Sequence, residues 1–163
     1  MNIESDKISD KIKLMCYMCV GAPGAGKGTW ASGFLSINKN ILYISTDSIR
    51  KELSGDESNQ SVSAQAFKLA KQRLEDALKN NKSVIIDAAN MYRKTRKDFL
   101  DIAKKYNAET IAIVFEVDKN TLLDRNKKRG EQGGRNVPEW VIDSMISKYQ
   151  RPDTTEFDIV KFI

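Results

Sequence analysis

The sequence predicts an α/β fold in which a parallel sheet of four or five strands carries helices on both faces. Three observations predict it. Short apolar runs rich in Ile and Val recur at residues 13–20, 41–45, 83–86 and 110–117, with little polar alternation. That is the pattern of strands covered on both faces. Between them lie stretches with the apolar spacing of amphipathic helices. The first run leads straight into the glycine-rich "VGAPGAGKGTW" at residues 20–30. Strands and helices in alternation imply crossover connections, and sheets so built bind ligands at the carboxyl ends of their strands.

The elements follow in order. The polar opening "MNIESDKISDK", residues 1–11, is expected to be a frayed, flexible tail, and residues 12–163 a single domain. The first strand contains both cysteines, Cys16 and Cys19, in a CxxC spacing. Residues three apart on a strand point to opposite faces, so the sulfurs should diverge and no disulfide or zinc site is expected. The run at 41–45 is the second strand. "SAQAFKLAKQRLEDALKN" then places Ala66, Ala70, Leu74, Ala77 and Leu78 on one helical face. After the third strand, "RKTRKDFLDIAKKY" repeats the pattern with Phe99, Ile102 and Ala103. "VPEWVIDSMISKY" starts a helix near Pro138 and presents Val141, Ile142, Met145 and Ile146. The closing "FDIVKFI" offers a fifth strand.

The chain has 163 residues, a formal net charge of +5 and no histidine. The charge mildly favours polyanionic partners. Without histidine, a general base must be a carboxylate, or failing that a lysine or tyrosine. No secretory signal, membrane-length apolar run, repeat or low-complexity tract is evident, which predicts an intracellular, cytoplasmic protein without a membrane partner.

The glycine loop matches the phosphate-binding pattern G-x-x-x-x-G-K-[ST] at Gly21, Gly26 and Lys27, and departs from it at Gly28. Gly21, Gly24 and Gly26 let the backbone turn its N–H groups onto phosphate oxygens. Lys27 supplies positive charge to the β- and γ-phosphates, and the helix beginning there aims its N-terminus at the same anions. Gly28 lacks the hydroxyl that usually binds Mg²⁺. That ion often completes its shell with phosphate oxygens and waters, so the loop should still hold a nucleotide. Thr29 is then the donor to the α-phosphate. This "GKGT" variant resembles the loop of adenylate kinases.

In "STDSIRKEL", Asp47 leaves the second strand and Arg50 follows one helical turn later. Asp47 is a candidate general base, or a helix N-cap, or both. Arg50 is a candidate for holding a phosphate on the acceptor. The third strand ends in "VIIDAAN". Asp87 there resembles a Walker B carboxylate that orders Mg²⁺ through water or supports the acceptor, and Asn90 is either a buttress or a plain turn residue. Lys94, Lys97, Lys127 and Lys128 read as solvated helix faces. Arg125 and Arg129 are four apart, share a helical face and precede "GEQGGRN", a short mobile lid.

Together "GAPGAGKGTW", "STDSIR", "VIIDAAN" and "RNKKRG…NVPEWVIDSM" resemble the kinase domain of phage-type and bacterial polynucleotide 5′-hydroxyl kinases. The resemblance covers nearly all of the chain after the opening tail. It implies an adenylate-kinase-like P-loop kinase fold, using ATP or another nucleoside triphosphate with Mg²⁺ to phosphorylate 5′-hydroxyl ends of DNA or RNA in nucleic-acid repair. Gly21, Gly24, Ala25, Gly26, Lys27, Gly28, Thr29, Arg125 and Arg129 would hold ATP. Asp47, Lys27 and Arg129 would be catalytic, Arg50, Asp87 and Asn90 would meet the acceptor, and Asp87 would meet the metal through water. Two departures stand out. Ala89 replaces the threonine of the family's D-A-T-N, and the DxDGT motif of an attached phosphatase is absent. The rival readings are a P-loop kinase for a small hydroxylated acceptor and a nucleotide-binding regulatory module without phosphotransfer.

Overall fold

The computed structural model describes residues 12–163, so the expected tail at 1–11 lies outside the described residues. All strand pairings are parallel, in the order β2-β3-β1-β4-β5. The strands are β1 (Met15–Val20), β2 (Ile41–Ser45), β3 (Ser83–Asp87), β4 (Glu109–Val114) and β5 (Ile159–Phe162). The helices are α1 (Lys27–Ile37), α2 (Thr46–Ser54), α3 (Ser63–Lys79), α4 (Arg93–Lys105), α5 (Lys119–Glu131) and α6 (Glu139–Ser147). The fifth strand suggested by "FDIVKFI" is present, on the edge beside β4.

Period-two alternation divides the core of β1 between two layers. Cys16, Met18 and Val20 pack with Ala66, Ala70 and Leu74 of α3 and Phe99 of α4. Cys19 faces the other way, toward Ala31 of α1, Leu122 of α5 and Ile142 of α6. The cysteines therefore diverge as expected, both free and buried. Burial pushes the Cys16 thiol up to about 12 and raises that of Cys19 as well. The small residues of α3 let that helix approach the sheet closely, and all five residues expected on its inner face are buried.

Coverage on both faces holds for the inner strands and fails at the edges. Leu42 and Tyr43 of β2 and most of β5 are exposed, because an edge strand has a neighbour on one side alone. β4 stops at Val114, short of the expected 117. On α6, Ile142 is buried while Ile146 remains 39% exposed.

Arg96, from the basic "RKTRK", turns inward instead of joining the solvated face. Its side chain is fully buried, with Nε and Nη2 each donating at 2.9 Å to the Glu156 carboxylate, and Nη1 donating at 2.9 Å to Asn90 O. Removing one partner of such a pair strands a buried charge. Glu156→Ala should therefore destabilise the fold by about 3–5 kcal/mol, read from urea unfolding. A loss below about 1 kcal/mol, the scale of an exposed pair, would refute that role.

Candidate active site

The carboxyl ends of β1, β2, β3 and β4 meet α5 around a cavity of about 840 Å³. Its floor is the glycine loop between β1 and α1. Gly24 and Gly26 sit at φ 86° and 101°, in the left-handed region that glycine tolerates best. Gly21 is required for space instead, since a Cβ there would lie 3.1 Å from Ala25 Cβ and from Phe115 O. Gly26 caps α1 without a side-chain hydrogen bond, so the first N–H groups of the helix have no side-chain cap at the loop. Lys27 Nζ donates to Gly21 O at 2.8 Å and Ala22 O at 3.0 Å, which fixes the ammonium within the loop. Burial lowers its pKa, and the Asp87 carboxylate opposes that most strongly. Gly24 through Thr29 all line the cavity, while Gly21 packs behind them.

Asp47 faces this loop across the cavity. The N-cap of α2 is Ser45, whose hydroxyl accepts from the Ser48 N–H at 3.3 Å. The capping alternative for Asp47 is thus taken by its neighbour, and the carboxylate is free for other partners. Its Oδ1 accepts from Arg50 Nη2 and from Arg135 Nη1, the latter at 3.0 Å. Its Oδ2 accepts from Arg129 Nη2 at 2.8 Å. A carboxylate has about four lone-pair positions, so one remains for an incoming hydroxyl.

Two residues expected to meet the acceptor lie outside the cavity lining. Arg50 is 2% exposed and does not line the cavity. Its Nε donates to Glu57 O at 2.9 Å and its Nη2 holds Asp47, so it fixes the carboxylate. Asn90 is likewise 2% exposed, at φ 51°, with Nδ2 donating to Cys19 O at 2.9 Å. It ties the segment after β3 to β1, outside the cavity lining, which favours the buttress alternative.

Asp87 and Ala89 do line the cavity, and Asp87 accepts a hydrogen bond from the Tyr43 hydroxyl. Among the described residues no three His, Cys, Asp or Glu side chains gather into a metal site. A Mg²⁺ ion that keeps several waters and takes phosphate oxygens needs one or two carboxylates, and Asp87 beside Gly28 meets that requirement. The donor set therefore fits a metal brought in with a nucleotide.

Arg125 and Arg129 both reach the cavity, Arg125 through Nη1 to Gly24 O at 3.2 Å. The segment expected to form a lid is tied to the end of α5 and to the loop after α2. Gly134 N–H donates to Arg129 O at 2.9 Å, and Asn136 N–H donates to Ser58 Oγ at 3.0 Å. The buried Asn126 amide bonds both N–H and C=O of Val137, which anchors the far end of the segment. This anchoring places Arg135, which was not singled out in the sequence, on the cavity wall. It is 9% exposed, and its Nε has no partner. Burial lowers its pKa, with Asp47 opposing. Its signal was a lone cation inside the glycine-rich lid. Tyr43 was missed as well, although it lies two residues before the strand end and shares a face with Ser45.

A family model for the AAA domain matches residues 16–152. The L-seryl-tRNA(Sec) kinase of Methanococcus maripaludis is 31% identical over 145 residues, covering 86% of this chain and 54% of that protein. The bifunctional polynucleotide phosphatase/kinase of Schizosaccharomyces pombe is 25% identical over 144 residues, covering 84% of this chain and 30% of its own length. A chain in the structure of the Pnkp1/Rnl/Hen1 RNA repair complex superposes with a TM-score of 0.75 at 27% identity, covering 88% of this chain and 46% of that one. The chain thus spans less than two thirds of each of these relatives.

Proposed function

Since the chain belongs to the AAA domain family and is a P-loop kinase, we propose that it transfers the γ-phosphate of ATP to the 5′-hydroxyl of a polynucleotide. The observation that carries this reading is that a carboxylate, Asp47, and the phosphate loop with Lys27 line the same cavity. Glycine loop and helix N-terminus hold the donor phosphates, and Lys27 neutralises charge on the β- and γ-oxygens. Asp47 takes the proton of the acceptor hydroxyl. The oxygen so released forms a bond to the γ-phosphorus, the bond from that phosphorus to the β–γ bridging oxygen breaks, and ADP leaves with those electrons. Arg129 and Arg135 stand beside Asp47 and meet charge spread over the transferring group. Mg²⁺, when bound, adds further charge neutralisation at the phosphates, and Asp87 is the residue that would order its waters.

The polynucleotide acceptor draws support from the relatives named for polynucleotide and RNA repair, and from Arg129 and Arg135, two guanidinium groups on the cavity wall beside Asp47. A seryl hydroxyl carried on tRNA is the second reading, favoured by the 31% identity to the archaeal enzyme. The deciding experiment offers γ-labelled ATP with 5′-hydroxyl DNA, 5′-hydroxyl RNA, seryl-tRNA, a nucleoside 3′-phosphate and the matching nucleoside. Labelled 5′ ends are the expected product. The nucleoside 3′-phosphate should exceed the plain nucleoside in kcat/KM by about tenfold or more, the scale of one charge-assisted contact. Equal values would remove the polynucleotide reading, and label on seryl-tRNA alone would replace it with the second.

A further inference from the structure

The departure at Gly28 leaves the usual loop hydroxyl missing, and the structure shows what stands near it. Gly28 is the second residue of α1, and a Cβ built on it would have one neighbour within 4 Å, Asp87 Oδ2 at 3.8 Å. The carboxylate therefore meets the position where a serine or threonine side chain would project, at ordinary contact distance. A hydroxyl one bond beyond that Cβ would come within hydrogen-bond reach of the same oxygen. In this chain Asp87 Oδ2 already accepts a hydrogen bond, from the hydroxyl of Tyr43.

That donor arrives from a different element. β2 pairs with β3 in the register Tyr43 to Ile85 and Ser45 to Asp87. Tyr43 lies on the same face as Ser45, and its ring spans the diagonal to the next same-face residue on the neighbouring strand, within the reach of an aromatic side chain. The ring lines the cavity and is 38% exposed, so packing alone does not account for it.

We propose that Tyr43 is the positioning residue for Asp87, its hydroxyl giving that carboxylate the hydrogen bond a side chain at Gly28 cannot give and setting it for the divalent cation that accompanies the nucleotide. The proposal rests on the reading of this cavity as a nucleotide and metal site. Without the Tyr43 hydroxyl, Asp87 has no described hydrogen-bond donor holding Oδ2. It would then order the waters of a bound cation less well, as other losses of outer partners do.

The test measures Mn²⁺ affinity in the presence of ADP by electron paramagnetic resonance, so that no turnover is required. Tyr43→Phe should weaken Mn²⁺ binding by about tenfold or more, the range for such outer partners. ADP affinity in EDTA should stay unchanged. Gly28→Ser should raise Mn²⁺ affinity by a larger factor on Tyr43→Phe than on wild type, since serine acting only as a direct ligand would raise both equally. Gly28→Ala should not, which separates the hydroxyl from any gain in helix stability. Tyr43→Phe binding Mn²⁺ as wild type does, or rescue by alanine equal to that by serine, overturns the proposal. A wild-type protein that binds ADP but no Mn²⁺ overturns it while leaving the nucleotide site standing. One that binds neither removes the nucleotide reading as well.

Discussion

Lys27→Ala should reduce phosphoryl transfer by about a thousandfold or more while leaving the fold intact, the upper range for loss of a group that meets transition-state charge. Its ammonium donates to two carbonyls of its own loop, and no other structural hydrogen bond depends on it. The substitution lies at the first position of α1, where alanine is a good helix former, so the melting temperature should move by a few degrees at most. The Asp87 charge also loses the cation that opposes it. Turnover and thermal unfolding should be measured on the same preparation. Unchanged turnover in a folded variant would mean that the glycine loop is purely structural.

Asp47→Asn should lower kcat by roughly a hundredfold or more with ATP affinity nearly unchanged, the scale on which a general base contributes. Asparagine keeps one oxygen acceptor, so contact with Arg50 and Arg135 can persist on that atom. Arg129 then faces an amide instead of a carboxylate oxygen, and some of the loss will reflect its displacement. Asp87→Asn is the control. Should it be the severe variant, with Asp47→Asn mild, the base belongs to the end of β3.

How far the molecule was legible beforehand depends on the range of the interaction. The five buried positions of α3, the divergence of Cys16 and Cys19 and the strand before the glycine loop all follow from local periodicity. Lys27, Asp47 and Asp87 line one cavity because strand ends in a parallel sheet converge whatever the loops do. Arg50, Asn90, Arg96 and Arg135 were misplaced or missed. For Asn90, Arg96 and Arg135 the direction is set by a partner distant in the chain, Cys19, Glu156 and Asp47 in turn, whereas Arg50 turns inward onto partners three and seven residues away. Spacing shows that a cation shares a helical turn with a carboxylate. It does not show whether that cation faces the cavity or lies beneath it.

The two cysteines, three residues apart on one strand, serve as separate clocks for the two halves of the core. A buried thiol of raised pKa yields almost no thiolate, so a soluble alkylating reagent reacts after local opening and not before. Cys16 is uncovered when the layer of α3 and α4 lifts, and Cys19 when that of α1, α5 and α6 does. The native chain, without any introduced probe, thus reports two opening free energies from a single labelling time course. Their difference tells which side of the sheet gives way first.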